Sequence, residues 1–444
     1  MAEEKKTEPT AGIAHLLARK NILELSPYRC ARDDYSTGIL LDANENAFGP
    51  TSLPTNSLDP YDNHNTLERY PCPYQVPLKE LYASYRGNKL TPANIFVGVG
   101  SDEAIDLLMR IFCQPGKDKI LTTPPTYGMY KVCAKVNDVE VITVPLEKDF
   151  SLRVPEVRNW VDKIVMAKHF FLFPFSILTN LSRCIVFLLV QILNHTRQFY
   201  NSCSNYSLNL EFHHNVINFD GEQMLAAVTP DVKLLFICSP GNPTAKAIPL
   251  SVIEEVAKSP QYKGLVVVDE AYVDFSTEGT ATSLVQQYPN VVVLQTLSKA
   301  FGLAGIRCGF CIGAPDVIQL MNNVKAPYNV NALTSEVAIN ALKNTPVLDK
   351  HVSQVLAQRK EVMRKLCQLD FVTEVFASDA NFVLFRMKGF AMETYKNMAD
   401  SGVVTRYRGT EIHCENCIRV TIGTEEENEK FFDLLVKTYE SLSK

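Results

Sequence analysis

The stretch Leu265-Val266-Val267-Val268-Asp269-Glu270-Ala271-Tyr272 and its counterpart Val291-Val292-Val293-Leu294-Gln295-Thr296-Leu297-Ser298-Lys299-Ala300-Phe301-Gly302 decide how this chain reads. Each opens as an unbroken apolar, β-branched run, the pattern of a strand buried on both faces of a parallel sheet. Each closes on polar residues. Groups that follow parallel strands collect along the carboxyl edge of the sheet, where α/β proteins bind ligands. An aspartate, a tyrosine and a lysine gather there, with Arg307 shortly downstream.

Working outward, the same strand-then-turn unit recurs. Phe96-Val97-Gly98-Val99-Gly100-Ser101-Asp102-Glu103 runs from a strand through glycines into a helix start, whose free amide groups and dipole favour an anion. Pro124-Pro125-Thr126-Tyr127-Gly128 places an aromatic ring after a strand, where it can stack on a flat ligand. Ser239-Pro240-Gly241-Asn242-Pro243-Thr244 follows the apolar run Leu234 to Cys238, and its X-Pro bonds suit a rigid turn that aims the Asn242 amide inward. Taken singly, each of these is also ordinary strand-end structure. Their order, and their repeated position after strands, give them joint force.

That set suits pyridoxal 5'-phosphate (PLP). A carboxylate at Asp269 would keep a pyridine nitrogen protonated, which makes the ring an electron sink. Tyr272 would donate to the ring's phenolic oxygen. Lys299 would form the Schiff base and then act as general base for a proton on the substrate Cα. Ser298 and Arg307 would hold a phosphate.

At these residues the chain resembles the fold-type-I PLP aminotransferases, through Asp269-Glu270-Ala271-Tyr272 and Thr296 to Gly309. It is more narrowly similar to the histidinol-phosphate aminotransferase family. That likeness rests on Ser26-Pro27-Tyr28-Arg29, Leu41 to Asn46, Arg69-Tyr70-Pro71, Pro124 to Tyr130 and Cys417-Ile418-Arg419-Val420-Thr421-Ile422-Gly423. It covers about residues 14–156 and 224–438. The resemblance implies an α/β fold: a three-layer, mostly parallel sheet with a smaller α+β domain. It also implies a homodimer and transamination of L-histidinol phosphate with 2-oxoglutarate. Tyr127 would stack on PLP, and Asn242 and Tyr272 would contact its O3′. Asp269 would pair with the ring nitrogen. The Ser101-Asp102 region, Ser298 and Arg307, with Tyr70 of the other subunit, would hold its phosphate. Arg406 and Arg419 would bind the acidic group of each substrate, assisted by Tyr28, with Asn44 also at the substrate. Two positions depart from the family pattern: Ala47 stands where proline is usual, and Ala245 where glycine is usual. The rival readings are an aromatic or broad-specificity aminotransferase, or a phospho-amino-acid decarboxylase, of the same fold. A non-catalytic protein on this scaffold, or the inactive product of a mis-spliced gene model, stands further off.

The 444 residues allow a large α/β domain with a smaller partner. The alternation predicts a tail over 1–12, a joining segment over 13–75, a large PLP-binding domain over 76–332 and a small domain over 333–444. A long helix is expected from Ser335 to Leu369. A net charge of −5 without a basic block argues against a nucleic-acid surface. Twelve scattered cysteines suggest a reducing compartment rather than a disulfide framework. Cys308 and Cys311 fall on a strand, where positions i and i+3 face opposite ways, and they lie far in sequence from Cys414 and Cys417. No metal site is expected. The charged start Met1-Ala2-Glu3-Glu4-Lys5-Lys6 lacks an apolar signal core, so a cytoplasmic enzyme of small-molecule substrates is expected.

One stretch breaks the pattern. Residues 157–223 are rich in Phe, Asn, Ile and Leu and hold the lone tryptophan, Trp160. Their most continuous apolar run, Cys184 to Leu193, is far short of the roughly 20 residues that span a bilayer, so no membrane insertion is expected. Joining Glu156 to Met224 restores the family's spacing. The insert opens on Val157-Arg158, which GTA-AGA would encode, and closes on Gln223, which CAG would encode; those are the edges expected of a eukaryotic intron. A structureless loop of this length inside a compact domain is itself unusual. The segment reads as a retained intron, with a genuine surface loop or a membrane-associating insertion as the alternatives.

Overall fold

The computed structural model describes residues 12–27, 43–46, 67–152 and 228–444. Tyr28, Ala47 and the stretch 157–223 lie outside the described residues.

Seven strands form the main sheet: β1 Ile95–Gly98, β2 Lys119–Thr122, β3 Glu140–Thr143, β4 Val232–Cys238, β5 Leu265–Asp269, β6 Val291–Thr296 and β7 Gly309–Ile312. Their order is β1-β7-β6-β5-β4-β2-β3. Strands β6, β5, β4, β2 and β3 run parallel, while β7 is antiparallel to both β6 and β1. The two apolar runs that open the sequence argument are buried throughout as β5 and β6. Cys238 lies opposite Asp269, and Asp269 opposite Leu294, so the ends of β4, β5 and β6 are level and their following loops meet along one edge.

Helices cover this sheet because their apolar residues recur on one face. In Gly100–Phe112, Ile105, Leu108 and Phe112 are fully buried and pack in one cluster with Phe236, Val267 and Val292 of the strands. Each such side chain contributes about 1.5–3 kcal/mol when withdrawn from water. Asp102 and Glu103 occupy the first turn of this helix, where the macrodipole favours carboxylates. Val99 offers no side-chain cap; instead its backbone N–H donates to Glu103 Oε2 at 2.6 Å.

A second, antiparallel sheet has the order β10-β11-β9-β8, with β8 Val372–Val375, β9 Phe382–Met387, β10 Arg406–Tyr407 and β11 Cys417–Thr421. On β11, Ile418 and Val420 join Val383, Phe385, Val362 and Leu435 in the core beneath the helices Thr345–Leu366 and Glu425–Leu442. Arg419 lies between Ile418 and Val420 and therefore faces the other way. The single helix expected from Ser335 to Leu369 is two helices, Ala332–Lys343 and Thr345–Leu366. The break falls at Asn344, just before Pro346. Proline has no N–H to continue the earlier helix but suits the first turn of the next.

Behind β6 runs a buried polar chain. Glu270 accepts from Thr280 Oγ1, Ala281 N and Gln295 Nε2, and Tyr82 donates to Gln295 Oε1 at 2.6 Å. Arg86 donates to Tyr82 and pairs with Asp274 at 2.7 Å, each ion showing 9% of its side chain to solvent. Removing one member of such a pair strands the other charge. Arg86→Met should therefore lower unfolding free energy by about 3 kcal/mol in equilibrium denaturation. A double replacement, Arg86→Met with Asp274→Leu, should recover most of that loss; no recovery would mean the pair is not the source.

Candidate active site

The loops at the carboxyl edge of the main sheet and the open face of β11 enclose a cavity of about 540 Å³. Into it the fold brings Ser101 and Asp102 from the helix start after β1, Tyr127 after β2, and Asn242 after β4. Asp269 closes β5 and Tyr272 follows it. Ser298, Lys299 and Arg307 lie between β6 and β7, and Arg406 and Arg419 come from the small sheet. These residues are spread over more than three hundred positions of sequence, yet each reaches the cavity from the end or the open face of a strand.

At one end, Arg307 sits with φ 53°, a left-handed conformation that costs a non-glycine residue about 1 kcal/mol or more. Its guanidinium donates to Ala304 O at 3.3 Å and to Ser298 Oγ at 3.4 Å, and pairs with Asp102 at 3.5 Å. Two glycines let this cluster close. A Cβ on Gly100, whose φ is 76°, would stand 2.7 Å from Arg307 Nη2. A Cβ on Gly309 would run into the backbone of Gly100 and Ser101. Thr296 Oγ1 accepts the Ser298 N–H at 3.1 Å and so fixes the turn that carries Lys299. Here an exposed guanidinium, a serine hydroxyl and helix-start amides converge, a donor set made for a phosphate-like anion. The Asp102 carboxylate is engaged by the Tyr127 hydroxyl at 3.1 Å and by Arg307, so only its backbone is suited to face an anion.

In the middle, Asp269 is buried. Its Oδ2 accepts from the Tyr130 hydroxyl at 2.6 Å and its Oδ1 from the Ala271 N–H at 3.3 Å. Burial raises its pKa to about 6, and those two donors oppose the rise. Lys299 Nζ stands 5.7 Å from the centre of the Tyr272 ring. Burial, then Arg419 and Arg307, push the lysine below the usual ammonium range, so more of it is neutral. Tyr272 is held edge-on against Phe382, with ring centres 5.1 Å apart.

At the far end, Arg406 lies directly opposite Arg419 across the β10–β11 pair, which puts both side chains on one face. Arg419 Nη1 donates to Asn242 Oδ1 at 2.5 Å and so joins the small sheet to the loop after β4. In that loop the Ser239-Pro240 and Asn242-Pro243 bonds are both cis. Ala245, at the usual glycine position, has φ 61° and is fully buried, so the glycine there would serve backbone conformation. Its N–H donates to Gly241 O and its carbonyl accepts from Asp379 N.

Three expected residues are not in this cavity. Tyr70 is half exposed and stacks on Tyr328 at 4.6 Å, and Asn44 is exposed with φ 56°. Tyr28 lies outside the described residues. Two lining or supporting residues are additions: Arg408 lines the cavity and Tyr130 holds Asp269. Arg408 stands two residues beyond Arg406, the spacing that returns to the same face of a strand. Tyr130 reads in sequence as an ordinary core aromatic. Among the described residues there is no cluster of His, Cys, Asp and Glu able to hold a metal, and no helix long and apolar enough to cross a membrane.

Comparison with known proteins bears on what this arrangement does. The family model described as aminotransferase class I and II matches residues 36–173 and 197–435. The histidinol-phosphate aminotransferase of Schizosaccharomyces pombe is 40% identical over 441 residues, covering 95% of each chain. That of Saccharomyces cerevisiae is 38% identical over 434 residues, covering 93% of this chain and 94% of its own. Among solved structures, the Sinorhizobium meliloti histidinol-phosphate aminotransferase, crystallised with pyridoxal 5'-phosphate, superposes with a TM-score of 0.65 at 19% identity, covering 96% of this chain and 98% of that one. The Clostridium acetobutylicum histidinol-phosphate aminotransferase gives 0.61 at 21% identity, with 83% and 90% covered.

Proposed function

Because the chain belongs to the class I and II aminotransferases, we propose that it is a PLP-dependent histidinol-phosphate transaminase of histidine biosynthesis. It exchanges an amino group between L-histidinol phosphate and 2-oxoglutarate, giving imidazole acetol phosphate and glutamate. The observation that carries this reading is Lys299 facing the opposed pair Arg406 and Arg419 within one cavity, an amine beside a seat for an acidic group.

The residues fit the cofactor. Helix-start amides at Ser101 and Asp102, with Ser298 and Arg307, suit its phosphate, and the space at Gly100 is what a Cβ would take from that cradle. Asp269, buried and oriented by Tyr130, suits a protonated pyridine nitrogen. Tyr127 suits the ring face, and Asn242 and Tyr272 its phenolic oxygen. When bound, PLP supplies an electron sink that makes a proton on the substrate Cα removable. Asp269 holds the ring proton in place by its charge. Lys299 Nζ, shifted toward its neutral form, takes the proton at the substrate Cα and returns it elsewhere as a general acid. Arg406 and Arg419 orient either substrate by charge-assisted hydrogen bonds to a phosphate or a carboxylate.

We read residues 76–332 as the PLP-binding domain and 333–444 as the small domain, in a cytosolic homodimer. Tyr70, which does not line its own chain's cavity, would reach the partner's phosphate site, while Tyr28 would assist Arg406 and Arg419 at the substrate, with Asn44 also there. Residues 157–223, within which the family match leaves 174–196 uncovered, we read as a retained intron. A mature transcript carrying the whole segment would refute that. Steady-state assays with L-histidinol phosphate, phenylalanine and tyrosine as amino donors test the substrate. Histidinol phosphate should give the highest kcat/KM, by about 10-fold or more, because its phosphate dianion offers the arginines more charge and more acceptors than the single α-carboxylate of phenylalanine or tyrosine. A preference for either aromatic amino acid would overturn the assignment.

A further inference from the structure

The residue at the substrate end that has no assigned role is Arg408. Its backbone N–H donates to Cys417 O at 2.9 Å, which carries the β10–β11 pairing one residue past Tyr407. Arg406 and Arg408 therefore share the face on which Arg419 lies. Three guanidiniums stand on one wall, and burial, then Arg408 and Arg406, disfavour the charge on Arg419.

An arginine kept for structure alone would have its donors taken by the protein. Arg408 does not. Only 19% of its side chain is exposed, yet its sole ion pair among the described residues is a loose one, to Glu411 at 3.6 Å. Its Nε is buried with no hydrogen-bond partner, a defect that natural proteins ordinarily avoid. The surrounding charge points the same way. Among the described residues, Lys299, Arg307, Arg406, Arg408 and Arg419 line the cavity against only Asp102 and Asp269. A cofactor phosphate would occupy Arg307 at the opposite end and would leave the arginine wall uncompensated. A carboxylate answers one of those three charges. A phosphate dianion answers two and offers acceptors to all three forks.

We propose that Arg408 is the specificity-determining residue for a phosphoryl dianion: Arg406 and Arg419 accept either acidic group, and Arg408 adds its contact only when that group is a phosphate. The inference rests on the transaminase reading above and deepens it.

The test uses the PLP-loaded enzyme and the variants Arg408→Met and Arg408→Lys. For Arg408→Met, the KM for L-histidinol phosphate should rise about 10- to 100-fold, the worth of one hydrogen bond between charged groups, while the KM for glutamate changes less than about 3-fold. The value of kcat should stay within about 2-fold, since the residue lies away from the proton transfer. Wild-type KM for the phosphate substrate should climb as pH falls through about 6, where the dianion takes a proton, and this inflection should flatten in Arg408→Met. Arg408→Lys, which keeps charge without the fork, should fall between the two. Equilibrium binding of inorganic phosphate to the loaded enzyme should weaken by the same factor as KM.

Equal losses for both substrates, or an unchanged pH inflection in Arg408→Met, would overturn the proposal. Should Arg408→Met fail to fold, a wild-type KM ratio between the two substrates in Arg408→Lys would overturn it as well. A wild-type enzyme inactive on histidinol phosphate would sink the substrate assignment instead, and the inorganic phosphate arm would still decide on Arg408.

Discussion

Purified Lys299→Ala should lose transamination by about four orders of magnitude, the upper range for removing a positioned proton-transfer group. The reason is local. Among the described residues Lys299 is the one amine that lines the cavity, and burial, Arg419 and Arg307 all push it toward the neutral form a base requires. The turn around it is fixed without its side chain, through Thr296 Oγ1 on Ser298 N and Gly302 N on Lys299 O. Folding should therefore survive the change. The measurement is single-turnover conversion of L-histidinol phosphate, with circular dichroism melts as the folding control. Millimolar methylamine or ethylamine should restore a small part of the rate in Lys299→Ala, because an untethered base can enter the space left by the side chain. A variant keeping more than about a tenth of wild-type activity would show that another group moves the proton.

The second large effect belongs to Asp269. Asp269→Asn keeps the shape and the acceptor for the Tyr130 hydroxyl but removes the buried charge. Catalysis should fall about 10²- to 10³-fold, as for other preorganised electrostatic groups. This variant also carries a stability signature whose sign follows from the raised pKa. Without PLP, the carboxyl titrates at about 6 rather than 3.8, chiefly from burial. Its favourable contribution is then complete below pH 3.8 and is lost as pH rises through 6. The shift corresponds to a penalty on the order of 3 kcal/mol once ionised. Above pH 7, then, cofactor-free Asp269→Asn should melt at a higher temperature than the cofactor-free wild type, and at pH 5 the difference should shrink. Adding PLP should reverse the order at high pH, because a protonated pyridine nitrogen gives the carboxylate its partner. Melting curves at pH 5, 7 and 8.5, with and without PLP, read this directly. If Asp269→Asn gains as much stability from PLP as the wild type at pH 8.5, Asp269 does not pair with the ring.

Much of this architecture is readable from residues because of how parallel sheets are built. Strands β5 and β6 are buried on both faces, so their apolar runs are unbroken and the first polar residue marks the sheet edge. Asp269, Lys299 and Arg307 could be found that way. Arg408 could not, because β10 is two residues long and exists as a strand only through its pairing with β11. Two residues offer no alternation to read. Tyr130 is hidden for another reason: its hydroxyl meets Asp269 across 139 positions of sequence, while its ring stacks on Phe236 like any core aromatic. Asn344 divides two helices that follow one another with no other residue between them, which leaves no loop to read. The role proposed for Tyr70 would depend on a second chain and so leaves no mark on the cavity of one.

The backbone contact at Gly309 has a consequence for how such a protein can diversify. Strand β7 crosses so close to the start of the helix Gly100–Phe112 that even a methyl group on Gly309 would collide with Gly100 and Ser101. Variation at this end must work around main-chain atoms, which no choice of side chain can move aside. The arginine wall opposite is made of side chains alone, projecting from a small antiparallel sheet whose core lies on its other face. Divergence toward new substrates is therefore cheap at one end of the cavity and nearly forbidden at the other, so that a lineage can exchange what it acts upon while inheriting its cofactor unchanged.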